Sequence, residues 1–205
     1  MKAKARDWQI RLTEEIKHDK SGLFVTLTFK NEAITELNEY VGKRIEKKLE
    51  TLKKENLAKV NRMIRLQENK LRGYKRDNEI AKAGVRLFLE RWRKEHGKSV
   101  KHMLITELGH NGTENIHLHG IIWTDKPDDI KKHWKYGFVW DGKKHKYDKR
   151  ENFVDIRTVN YIVKYIMKLD YDHRYYIPEI LATSGIGKQY IESTRSEVNR
   201  YDCEE

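Results

Sequence analysis

His117-Leu-His119, inside the run Ile116-His-Leu-His-Gly-Ile-Ile-Trp123, is the first place where this sequence offers chemistry. The run alternates and ends in bulky apolar residues, which is the pattern of a β-strand. Successive strand side chains point to opposite faces, so the two histidines share one face. Imidazoles about 7 Å apart along a strand can converge on one divalent ion, and neutral imidazole is a common metal ligand. Two half-exposed histidines on a sheet surface have the same pattern, so the neighbours decide. Upstream, His102-Met-Leu-Ile-Thr-Glu107 is a second alternating run, followed by Gly109 and Asn111-Gly112, residues that suit a tight turn. The two runs are expected to pair antiparallel and to bring Glu107 beside His117 and His119. Two nitrogens and one carboxylate suit Mg²⁺ or Mn²⁺ in phosphate chemistry and accept other divalent ions. Zinc is disfavoured as a structural ion, because Cys203 is the only cysteine and there is no Cys-x-x-Cys.

The second chemical feature is Thr158-Val-Asn-Tyr-Ile-Val-Lys-Tyr-Ile-Met-Lys-Leu169. Val159, Ile162, Val163, Ile166 and Met167 form an apolar stripe at helical spacing, with Thr158 as an expected N-cap. Tyr161, Lys164, Tyr165 and Lys168 fall on the other face, as a tandem Tyr-x-x-Lys. A phenol is a weak nucleophile unless its developing charge is stabilised, and a lysine one turn away supplies positive charge. Read alone, the segment is also an ordinary amphipathic helix with tyrosines at its margin.

Taken in order, these segments resemble the HUH endonucleases, and specifically the rolling-circle replication initiators (Rep) of microviruses, the small single-stranded DNA phages, gut-phage members included. The resemblance rests on four motifs: the strand Phe24-Val-Thr-Leu-Thr-Phe29, His117-Leu-His119 with Glu107 ahead of it, Tyr161-Ile-Val-Lys-Tyr165-Ile-Met-Lys168, and Thr183-Ser-Gly-Ile-Gly-Lys188. It implies that Glu107, His117 and His119 hold a divalent metal, Mg²⁺ or Mn²⁺, which polarises the scissile phosphate. It implies that Tyr161 or Tyr165, with Lys164 and Lys168 beside them, attacks in line, leaving a 5′-phosphotyrosine and a free 3′-OH that primes replication. A second tyrosine permits a second transfer after one round. The implied partners are single-stranded origin DNA, in hairpin form or not, and the host replication helicase and polymerase. The implied location is the cytoplasm of the bacterial host.

Composition agrees with a polyanion partner. The formal net charge is +11 over 205 residues. Residues 31–100 hold 19 Lys and Arg against 11 Asp and Glu, whereas residues 101–205 hold 17 of each. A basic amino-terminal half is expected to hold DNA that a neutral half cuts. The sequence has no signal peptide pattern and no apolar run long enough for a bilayer, so a soluble intracellular protein without a membrane partner is expected. The end at Glu205 reads as that of a truncated nuclease domain.

The positioning elements follow from periodicity. Residues 31–72 look like a helical insertion, with Ile34, Leu37, Val41, Ile45, Leu49 and Leu52 recurring every three or four residues. One continuous helix there would be about 60 Å long. It is expected to fold back as a hairpin beside the DNA, to pair with a copy of itself, or to stay solvated. A second helix is expected from Asp77 to His96, a short one at Pro127–Trp134, and strands at Tyr136–Trp140 and Asn152–Ile156. The whole reads as one α+β domain over residues 1–205, an antiparallel sheet with helices packed on it, and the resemblance implies that this is the RRM-like fold of the HUH nucleases. Gly185-Ile-Gly187-Lys188 lacks Walker spacing and reads as a turn near the active site. Two other identities fit the same residues: a plasmid or transposon HUH nuclease, and a non-catalytic RRM-like nucleic-acid module. The latter needs exposed strand aromatics for stacking and has no use for Glu107, His117 and His119 together.

Overall fold

The structure, a computed structural model, describes residues 2–53, 58–109, 115–141, 154–167 and 175–188. Among them the order is α1 (Lys2–His18), β1 (Gly22–Thr28), α2 (Asn31–Lys53), α3 (Ala58–Glu68), α4 (Gly73–His96), β2 (Lys101–Leu108), β3 (Ile116–Trp123), α5 (Pro127–His133), β4 (Val139–Trp140), α6 (Ile156–Met167) and β5 (Ile180–Ala182). The strands form one antiparallel sheet in the order β4-β1-β3-β2-β5. The chain is therefore α+β, with helices on both faces of the sheet.

Strand alternation sorts the core into two layers. Val25, Leu27, Leu104, Leu118 and Ile122 point to one face and pack under α2 and α4, with Phe88 and Trp92 of α4 in the same cluster. Met103, Ile105 and Ile121 point to the other face and pack against Leu12 of α1 and Val159, Ile162, Val163 and Ile166 of α6. Glu107, His117 and His119 belong to this second face. The helix carrying the tyrosines is thus laid over the strand carrying the histidines. Gly120 follows the second histidine because β2 runs close beside it: a Cβ there would overlap the Met103 carbonyl.

Of the arrangements expected for residues 31–72, the structure shows the folded-back one: α3 returns along α2, so that Gln67 and Lys70 line the same cleft as Val41 and Ile45. Other expectations are corrected. α4 begins at Gly73 rather than Asp77, and Gly97, at φ 73°, ends it by donating its N–H to the Arg93 carbonyl. The strand expected over Tyr136–Trp140 is confined to Val139–Trp140. Of the strand expected over Asn152–Ile156, residues 152–153 lie outside the described residues, Val154 and Asp155 are not in a strand, and Ile156 opens α6. The cap of α6 is Asp155, not Thr158: its Oδ1 accepts the backbone N–H groups of Arg157 at 2.9 Å and Thr158 at 3.1 Å.

The turn Thr183–Lys188 is not near Glu107. Thr183 is bonded to His102, at the opposite end of β2, and the Gly187 N–H donates to Glu15 of α1 at 2.8 Å. Glu15, itself buried, also accepts from Lys101 at 2.7 Å, so one carboxylate ties α1, β2 and this turn together.

His102 is buried, with Nδ1 3.0 Å from the Val100 carbonyl, and burial pushes its pKa down. The unfolded chain then binds a proton that the folded chain resists. His102 therefore contributes stability above the unfolded value of about 6.5, and that stability is lost as pH falls through the lower folded value. We expect the thermal midpoint to drop between pH 7 and pH 5 in wild-type protein, and to drop less in His102→Gln. Parallel melting curves against pH check this; equal slopes would show that His102 does not set the acid sensitivity.

Candidate active site

β2 and β3 pair so that Glu107 stands directly opposite His117, and Thr26 of β1 stands opposite His119. His119 is held from both sides. Its Nδ1 lies 2.9 Å from Thr26 Oγ1, and its Nε2 lies 2.8 Å from Glu107 Oε2. A hydroxyl on one ring nitrogen fixes the ring's orientation and leaves the other nitrogen facing the carboxylate, the usual support of a ligand histidine. His117 sits beside it, ring centroids 6.4 Å apart. Burial, then the neighbouring His119, holds its pKa below the ordinary imidazole range, against the pull of Glu107. A neutral ring is the form that binds metal.

α6 brings its phenols onto this row. Tyr165 stacks on His119 with centroids 4.6 Å apart and planes within 7° of parallel. Its hydroxyl donates to the Tyr161 hydroxyl at 2.6 Å, as residues at i and i+4 on one helix face can. Tyr161 packs edge-on against Phe24, 5.6 Å away, and about half its surface, 47%, is exposed. The Tyr165 pKa is pushed well up, first by burial, then by the bond to Tyr161 and the charge of Glu107. Tyr165 is thus held protonated beside the more exposed Tyr161.

The structure therefore gathers Glu107, His117, His119, Tyr161 and Tyr165. Lys164 is exposed and bonds neither phenol; Lys168 and the turn expected at Asn111-Gly112 lie outside the described residues, and the Gly109 N–H donates to the Asn115 carbonyl at 3.0 Å. The donor set of two imidazoles and a carboxylate fits a divalent ion, and the Glu107–His119 contact is the one an ion would replace. Among the described residues, however, the group whose ligand atoms all lie within 4.8 Å of one another is a different one, Glu95, His96 and His133. The sequence does not betray that group, since its members come from two helices whose meeting no local pattern announces.

Positive charge is distributed unevenly about the site. The apolar stripe of α2, Leu37, Val41, Ile45 and Leu49, is buried on the face opposite the histidines, so its exposed Lys43, Arg44, Lys47 and Lys48 lie behind the sheet as seen from the tyrosines. No helix among the described residues is long and apolar enough to cross a membrane.

Residues 72–170 match the family model of the ORF2-type replication-associated proteins. That stretch runs from the start of α4 past the end of α6 and takes in Glu107, His117, His119, Tyr161, Lys164, Tyr165 and Lys168, while nearly all of the helical pair at 31–72 precedes it. The similarity is to a family acting in DNA replication, which agrees with a nucleic-acid partner. No curated protein and no solved structure matches the chain.

Proposed function

We propose that this protein is a replication initiator that nicks single-stranded DNA at an origin through a tyrosine nucleophile and later rejoins the strand. The observation that carries the proposal is the stack of Tyr165 on His119, with His119 paired to Glu107 and Tyr165 bonded to Tyr161. A non-catalytic module has no need for two phenols in contact above a carboxylate–histidine pair. Phe29, just past the end of β1 and one of two aromatics such a module would use for stacking, is buried in the core.

Glu107, His117 and His119 would hold the divalent ion, Mg²⁺ or Mn²⁺, and the ion when bound would supply Lewis-acid polarisation of the scissile phosphate. The residues do the rest. The Tyr161 oxygen attacks phosphorus in line as its phenolic proton is released, the bond from phosphorus to the 3′-oxygen breaks, and that oxygen takes up one proton to become the free 3′-OH, so that the proton lost by the phenol balances the one gained by the leaving group. The hydrogen bond donated by Tyr165 stabilises the charge that Tyr161 carries on the way. The product is a 5′-phosphotyrosine, and attack by a 3′-OH on it reverses the step and rejoins the strand. Tyr165 then serves a second cleavage while Tyr161 holds the first 5′ end. Lys164 and Lys168, three residues after each phenol, would neutralise phosphate charge beside them.

The paired tyrosines, Tyr161 and Tyr165, support a microvirus-type HUH initiator over single-tyrosine plasmid and transposon relatives. On this reading residues 1–205 form one nuclease domain with 31–72 as an insertion, and it acts in the cytoplasm of the bacterial host with the host's helicase and polymerase. A gel of a labelled single-stranded origin oligonucleotide, with and without Mn²⁺, tests the activity. We expect Mn²⁺-dependent cleavage with the label retained on protein. Binding without cleavage would favour the non-catalytic module.

The basic face of α2 gives a separate expectation. If DNA wraps the sheet edge to reach it, Lys43→Glu with Lys47→Glu should weaken binding and reduce the salt dependence, by about 0.7 in slope for each lost phosphate contact. An unchanged slope would assign α2 no part in DNA binding.

A further inference from the structure

At the other end of the sheet, about 20 Å along β3 from His117, the last turn of α4 meets α5. Glu95 and His96 come from α4, Asp129 and His133 from α5, four residues apart and so on one face of their short helix. Both imidazoles are sunk beside Trp92, with ring centroids 4.7 Å from it for His96 and 5.7 Å for His133. The side chain of His133 is 8% exposed and that of His96 10%. His133 Nε2 lies 3.1 Å from Glu95 Oε2, and His96 Nε2 lies 3.1 Å from Asp129 Oδ2. Neither contact has the angle of a hydrogen bond, so both buried nitrogens are left without a proper partner. Orphaned buried polar groups are costly, and nature tolerates them where a further group completes the set.

We propose that Glu95, His96 and His133, with Asp129 beside them, form a second divalent-metal site of the zinc class that clasps α5 to the end of α4. One ligand atom from each of the first three already lies within 4.8 Å of the others. Two imidazole nitrogens and two carboxylate oxygens suit a four-coordinate Zn²⁺ or Co²⁺, while Mg²⁺ prefers oxygen and water. Two carboxylates balance the ion's charge. Two ammonium groups border the site: Lys132 holds the outer oxygen of Glu95 at 2.5 Å, and Lys126 lies 3.3 Å from His96 Nδ1. Lys132 leaves Oε2 facing the histidines. Lys126, exposed on a flexible stem, swings aside when His96 Nδ1 carries a proton. No cysteine is required, so the site is independent of the lone Cys203. The role is structural, since nothing places these residues near the tyrosines.

The test uses the 205-residue protein carrying His117→Ala and His119→Ala, stripped with chelator and then reloaded with Zn²⁺, so that only the second site is counted. We expect it to retain close to one equivalent of Zn²⁺ through gel filtration, to melt several degrees higher with Zn²⁺ but not with Mg²⁺, and to show visible absorption with Co²⁺. Glu95→Gln and His133→Gln should each weaken Zn²⁺ binding tenfold or more. Should His133→Gln fail to fold, the more exposed Glu95 decides the matter. In the parent background of intact His117 and His119, Glu95→Gln should remove one bound equivalent and leave nicking unchanged. No retained ion in the folded protein, or retention indifferent to Glu95→Gln, overturns the site and leaves two histidine–carboxylate ion pairs in its place.

Discussion

Alanine at both His117 and His119 should slow nicking of a single-stranded origin by roughly a thousandfold or more, because a Lewis-acid ion at a phosphate supplies several kcal/mol and about 1.4 kcal/mol corresponds to a factor of ten. Binding of the same DNA should change little, since phosphate affinity comes from lysine and arginine elsewhere. The fold should survive: His117 and His119 are only partly buried, and the sheet face beneath them is held by Met103, Ile105 and Ile121. Removing His119 also strips Tyr165 of its stacking partner and Glu107 of its 2.8 Å contact with the imidazole. Rate measurements over a range of Mn²⁺ concentrations, beside binding by fluorescence anisotropy, separate the two effects. Undiminished nicking by the double variant in EDTA would remove these residues from catalysis.

The tyrosines carry the second large effect. Phenylalanine at both 161 and 165 should abolish the covalent protein–DNA adduct, while either single change should leave part of it. The two losses should differ. Tyr161→Phe removes the more exposed phenol, the one open to an incoming phosphate. Tyr165→Phe keeps that phenol but removes the hydrogen bond that stabilises its charge. First-strand cleavage should therefore fall further in Tyr161→Phe, and the second transfer further in Tyr165→Phe. Single-turnover assays on a one-site and a two-site oligonucleotide read the two steps apart. Equal loss in both single variants at the first step would mean that the phenols act as one unit.

Much of this site is legible in the sequence, and for a physical reason. Glu107, His117 and His119 sit on strands whose alternation fixes which face each side chain takes, and a short loop between two strands fixes their pairing. Tyr161 and Tyr165 sit four apart on a helix with a clear apolar stripe. What the sequence conceals is set by tertiary context. α1 buries Ala5, Leu12 and Ile16 but surrounds them with charged residues on every side, so its amphipathic contrast is weak. β5 is three residues long and exists because β2 offers it an edge. Phe153-Val-Asp-Ile156 alternates like a strand, yet Asp155 caps a helix that begins at Ile156, because a carboxylate accepting two backbone N–H groups outweighs the alternation of its neighbours. The Glu95, His96 and His133 group requires α4 and α5 to meet, and that contact is long-range.

Covalent attachment of DNA to a tyrosine of α6 is the step on which the proposed function stands or falls. Wild-type protein incubated with a single-stranded origin oligonucleotide and Mn²⁺, then digested with protease and nuclease, can be mapped by mass spectrometry. The expected result is a nucleotide phosphate on a peptide containing Tyr161, with a smaller fraction on Tyr165 that grows when a second cleavage site is supplied. Cleavage that yields a free 5′-phosphate with no modified peptide, or an adduct on a tyrosine outside α6, would contradict it.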